Sequence, residues 1–116
     1  MTIKRVWHGY TTTENADAYQ TLLICEVLPR IKAKNIPGLT NIEVMRYKHE
    51  ETNTNGKIGE TGEVEYVVTI TYETLAHVVT FAGMDYEKAY LPEKARTLLA
   101  RYDDRCMHYE VVDVVT

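Results

Sequence analysis

The chain has 116 residues, 45% of them hydrophobic, and a formal charge of −4. That length fits one domain, residues 1–116, with a core large enough to need no disulfide or metal staple. A mildly acidic chain whose Lys and Arg are scattered is a poor phosphate binder, so no nucleic-acid partner is expected. Cys25 and Cys106 are the only cysteines; two thiols in such a domain suggest a reduced, cytoplasmic setting. The segment Met1–His8 lacks the apolar stretch of a signal peptide, and no apolar run approaches the roughly 18 residues that span a bilayer. No membrane partner is expected.

Ile3 to Tyr10 is rich in β-formers and reads as the first strand. Thr11 with Glu14 fits a capping box for the helix that follows, with Thr13 as the other cap candidate. Ala16, Tyr19, Leu22, Leu23, Val27 and Ile31 recur at helical spacing. Pro29 inside this pattern removes a donor and crowds the carbonyl of Cys25, which predicts a kink or an early end. Pro37-Gly38 is a turn signal. Asn41 to His49 is a second strand, and Glu50 to Gly62, with its Asn55-Gly56 pair, a long hairpin loop. Glu63 to Tyr72 alternates cleanly: Val64, Tyr66, Val68, Ile70 and Tyr72 line one face.

Thr74 caps the next expected helix, with Leu75, Val78, Val79 and Ala82 as its stripe and Gly83 as a left-handed end. Asp85 opens a short helical turn. Pro92 suits the first position of another helix, with Ala95, Leu98, Leu99 and Tyr102 on one face. Met107 to Val115 is the last strand. The order βαββαβ predicts an α+β, ferredoxin-like fold: a four-stranded antiparallel sheet with helices on one face. The other face shows no clean polar stripe and needs cover, for which a second copy, packed face to face, is the simplest candidate. The valine-rich tail from Val111 to Val115 is a further candidate for pairing along the edge of that copy.

Several segments resemble the antibiotic biosynthesis monooxygenase-like group of the dimeric α/β-barrel superfamily. They are Trp7-His8-Gly9-Tyr10-Thr11, Glu14 to Tyr19, Ile36-Pro37-Gly38-Leu39, the strand ending at Tyr72, Phe81 to Tyr86, and His108-Tyr109-Glu110-Val111. The resemblance implies a homodimer that closes two sheets into a barrel, a pocket between sheet and helices in each subunit, and cofactor-free oxygenation of an aromatic or quinone-type metabolite. Haem-degrading members keep an Asn, a Trp and a His at places held here by Trp7, Phe81 and Tyr90. No iron ligand stands there, and neither haem nor any other cofactor is expected.

The candidate catalytic residues are Arg5 and His8. Arg5 shares a strand face with Trp7, and a cation beside an aromatic suits a phenolate; the competing reading is Trp7 as core, as large aromatics mostly are, with Arg5 paired to a carboxylate. His8 lies on the other face and has the pKa to take a phenolic proton, or serves as a hydrogen-bonded structural histidine. Which face meets the pocket stays open. Trp7, Tyr66, Phe81, Tyr86, Tyr90 and His108 are the candidate pocket lining. Tyr86 and Tyr90 share a helical face if their segment is helical. His108 and Glu110 share a face of the last strand, near His8, but such two-residue spacing is weak support for a metal, and none is expected. A non-catalytic dimeric module that binds a small ligand accounts for the same residues.

Overall fold

The computed structural model describes residues 1–52 and 58–116, and their side chains except at 49–52 and 58–62. The Asn55-Gly56 turn and the side chains of His49, Glu50 and Glu51 lie outside what is described. Strand β1 (Ile3–Thr12) is followed by helix α1 (Thr13–Leu22), a π-helical turn (Leu23–Val27), helix α2 (Leu28–Ala33), strands β2 (Leu39–Thr52) and β3 (Ile58–Tyr72), helices α3 (Leu75–Ala82) and α4 (Glu93–Leu98), and strands β4 (Leu99–Tyr102) and β5 (Met107–Glu110). The sheet is antiparallel in the order β2-β3-β1-β4, and β5 also pairs with β1. Helices cover one face, so the fold is α+β and ferredoxin-like. No helix among the described residues is long and apolar enough to cross a membrane.

The last strand position is shared. β4 pairs with the end of β1 (Gly9–Thr11) and β5 with its start (Ile3–Val6). The loop between them is stitched to the middle of β1. The amide of His8 donates to the Asp103 carboxylate at 3.1 Å, and the Asp103 amide donates to the His8 carbonyl at 2.9 Å. Leu99 and Tyr102 are therefore strand residues, a correction to the helical stripe expected through Tyr102. The helix from Pro92 stops at Leu98 because the edge of β1 needs backbone partners.

β5 likewise stops at Glu110, short of the expected Val115. Its pairing reaches one bond further, from the Val111 amide to the Thr2 carbonyl at 2.8 Å. There β1 has run out, and Val112, Val114 and Val115 are exposed.

Helix α1 is capped by Thr12, whose hydroxyl accepts from the Asn15 amide at 3.3 Å. Neither Thr11 nor Thr13 is the cap, because the strand runs two residues further than expected and buries the Thr11 side chain. Pro29 does not end the helix. The Leu28 amide reaches back to Leu23, a wider turn, and Pro29 then falls in the first turn of α2, where a missing N–H costs little. Gly83 ends α3 with φ 87°, its amide donating to Val79 at 2.7 Å. After it, Asp85–Lys88 forms a single turn closed by the Lys88 amide on the Asp85 carbonyl.

Strand alternation sorts the side chains. Ile3, Arg5, Trp7 and Thr11 of β1, and Val64, Tyr66, Val68, Ile70 and Tyr72 of β3, are buried toward the helices. There they meet Ala16, Tyr19, Leu22, Leu23, Val78 and Ala95. Tyr66 donates to the Ala16 carbonyl at 3.0 Å and packs edge-on against Tyr19, which locks α1 to β3. The opposite sheet face carries Val6, Val67 and Thr69 at its centre, flanked by the exposed Met45, Tyr47, Met107 and Tyr109.

Candidate functional site

A cavity of about 350 Å³ opens between the helix-covered sheet face, the run α1–α2, and the segment from Phe81 to Ala95. Arg5 and Trp7 enter it from β1 and Val68 from β3. The helical stripe supplies Tyr19, Leu23, Val27 and Ile31, and Phe81, Tyr90 and Leu91 close the far side. The walls are mainly apolar, as small-molecule sites are. Trp7 is held by its indole N–H, which donates to the Asp103 carbonyl at 2.8 Å. Its ring lies directly over Gly9, where a Cβ would collide with it.

Arg5 is the centre of the polar side. It is 5% exposed. One terminal nitrogen donates to the Tyr86 carbonyl and meets His108 Nε2 at 3.0 Å; the other donates to the Lys88 carbonyl at 3.1 Å. Arg5 thus ties the irregular segment 86–88 to β1. Since guanidinium can only donate, His108 accepts through Nε2 and carries its proton on Nδ1. That Nδ1 is buried without a partner. Phe81 has two cations near its ring, with the Arg5 guanidinium 5.8 Å and the Lys34 ammonium 5.3 Å from its centre.

Titration near the cavity favours neutral partners. Burial, then Arg5, holds His108 below its ordinary value of 6.5. Burial pushes the Tyr72 phenol up to about 12, against a smaller pull from Arg5, and raises the Cys106 thiol and the Tyr19 phenol. Near pH 7 these groups are uncharged, and the charges on the cavity wall are those of Arg5, Arg30, Lys34 and Lys88.

His108 gives the pH dependence. The unfolded chain takes a proton near the ordinary value, while the folded chain resists until a lower pH. Stability is therefore full above about pH 6.5 and falls as pH drops through the window below it. His108→Gln keeps an acceptor for Arg5 and removes the titration. Urea unfolding at about pH 5.5 and about pH 7.5 is expected to show a clear acid loss in the parent chain and a smaller one in the variant. Equal losses would exclude His108 as the source.

Of the residues singled out in the sequence, Arg5, Trp7, Phe81 and Tyr90 line the cavity. His8 does not: strand alternation turns it to the opposite sheet face, where its Nδ1 lies 2.9 Å from the Asp103 carboxylate. Tyr66 is buried behind the wall, bonded to α1. Tyr86 and Tyr90 share no helical face. The Tyr86 ring packs edge-on against His108, whereas Tyr90 is 81% exposed at the rim. His108 stands behind Arg5, its register partner on β1, and so faces away from His8; the two cannot share a metal. His77 bonds Thr74 at 2.8 Å and packs on Gly38, a structural role.

The sequence reading missed Arg30, Lys34, Lys88 and Cys106. Lys34 was within reach of it, since it extends the Leu23, Val27, Ile31 stripe by three residues. Lys88 sits in an irregular segment with no periodicity to mark it.

No protein-family model and no curated protein matches the chain. Solved structures do. Rv0793 from Mycobacterium tuberculosis aligns over 100% of both chains with a TM-score of 0.56 and 13% identity. An EthD family protein from Bacillus halodurans aligns over 97% of this chain and 100% of its own, with a TM-score of 0.53 and 18% identity. At such identities the likeness shows the shared ferredoxin-like fold.

Proposed function

We propose that the chain is a homodimeric member of the antibiotic biosynthesis monooxygenase-like group whose cavity takes a small aromatic or quinone-type metabolite and oxygenates it without a cofactor. The observation that carries this reading is the open, aromatic-walled cavity reached by the buried Arg5. A phenol or anthrone bound there would ionise beside Arg5, which stabilises the anion. The activated ring carbon then passes its electrons to O₂. In an anthrone the methylene becomes a carbonyl; in a phenol a ring C–H becomes C=O and the hydroxyl becomes the second quinone carbonyl; in both, the two hydrogens lost leave with the second oxygen atom as water. With His8 on the other face, the proton departs through the cavity mouth. The two free thiols, Cys25 and Cys106, support a reducing, cytoplasmic setting.

O₂ uptake by the pure protein with a panel of dihydroxyaromatic and anthrone compounds tests this. The expected result is stoichiometric consumption with quinone formation, reduced at least tenfold in Arg5→Met. One observation favours a second reading, a non-catalytic ligand-binding module: among the described residues the cavity wall carries no histidine, aspartate or glutamate to serve as a base. Saturable binding of the panel without O₂ uptake would establish that reading in place of the first.

A further inference from the structure

We infer that the ligand of this cavity carries a permanent negative charge, as an aromatic or polycyclic carboxylate does. This rests on the reading of the cavity as a small-molecule site. The chain is acidic, with 17 Asp and Glu against 13 Lys and Arg. Yet the cavity wall holds Arg5, Arg30, Lys34 and Lys88 and, among the described residues, no Asp or Glu at all. None of the four lies within ion-pair distance of a described carboxylate. Arg46, Lys94, Arg101 and Arg105, elsewhere on the surface, each have one. Asp85 and Glu87 act on this region from outside the wall: Asp85 feels the charge of Lys88, and His108 feels that of Glu87. Both are already drawn to Arg105, at 2.6 and 3.7 Å.

Arg5 makes the point most sharply. A buried charge without a counter-charge is costly, and such a group persists where something else supplies the missing sign. Its bonded partners are two carbonyls and a neutral imidazole, none of which carries charge. Those bonds occupy both hydrogens of Nη1 and one of Nη2. The Nε–H and the second Nη2–H have no bonded partner among the described residues, and guanidinium donors of this kind suit the two oxygens of a carboxylate. Phe81 and Trp7, which line the same cavity as Arg5, offer flat apolar contact. Lys34, above Phe81, with Arg30 and Lys88, raises the positive potential at the mouth and draws an anion in. A cavity of about 350 Å³ suits a body of two or three fused rings.

Isothermal titration with 2-naphthoate and its neutral analogue 2-naphthamide decides the matter. Naphthoate is expected to bind roughly tenfold to a hundredfold tighter, with a gap that narrows as salt rises. Arg5→Met should abolish the preference. Should that variant fold poorly, the exposed Lys34→Met is the second arm and should cut the preference severalfold. Lys4→Met, on the opposite sheet face, should leave it unchanged. Equal affinity for the two compounds, or tighter binding of the amide, overturns the anion inference and leaves the small-molecule reading standing. Binding of neither overturns both.

Discussion

Replacing Trp7 by alanine is expected to destabilise the fold by about 3–5 kcal/mol, the range for truncating a large buried aromatic. Its ring shares the core with Leu99 of β4, is bonded to the β4–β5 loop through the Asp103 carbonyl, and forms part of the cavity wall. The same ring makes Gly9 obligatory. A methyl group there points into the Trp7 six-membered ring and toward Leu99. Gly9→Ala should therefore cost about 1–3 kcal/mol by overpacking. The two effects are not independent. With Trp7 already truncated, the Gly9 methyl enters vacated space and costs almost nothing, so a double-mutant cycle by chemical denaturation should return a coupling about as large as the Gly9→Ala effect itself. Additive losses would show that the ring and Gly9 do not meet. In single-mutant Gly9→Ala the displaced indole also intrudes on the cavity, and ligand binding should weaken with stability.

The strands were legible where burial is one-sided. The alternation of β3 follows from period-2 geometry alone, and so does the sharing of one face by Arg5 and Trp7. The end of the chain was less so, because its elements depend on partners that only the assembled sheet supplies. Ala95, Leu98, Leu99 and Tyr102 satisfy a helical period. Backbone donors and acceptors on the edge of β1 at Gly9 to Thr11 outweigh that period, and Arg101 then stacks on Tyr10 at 3.6 Å. The valines after Val111 have high β-propensity but no strand partner among the described residues, since β1 begins at Ile3. For the site, a single strand could reveal Arg5 beside Trp7. The cationic rim is drawn from α2, the residue after it and the turn at Lys88, so only the tertiary fold brings it together. That assembly also explains why His8, an attractive base in the sequence, faces elsewhere: adjacent residues of a strand cannot serve the same cavity.

The uncovered sheet face yields the other large effect. Val67→Lys is expected to convert the proposed dimer into a monomer, read by sedimentation or light scattering across a dilution series. Val67 lies between His8 and Met45 in register, with Val6 and Thr69 close by and Tyr47 and Met107 towards the flanks. An isolated soluble domain rarely leaves such a patch to water. In a face-to-face pair related by a two-fold axis, every substitution appears twice, so two ammonium groups would enter one desolvated interface. A penalty of about 3 kcal/mol corresponds to roughly a hundredfold weaker dimer. Within one subunit the new lysine is tolerated, because Glu65 on β3 and Glu43 on β2 lie on the same face two positions away along their strands. Circular dichroism and thermal unfolding of the diluted protein should accordingly remain those of the parent. A parent chain that is monomeric at tens of micromolar would remove the dimer from the proposal. A Val67→Lys protein that stays dimeric would move the interface off this face. The cavity lies on the far side of the sheet, so naphthoate affinity in Val67→Lys should match the parent in either case, separating the assembly of the protein from the chemistry of its site.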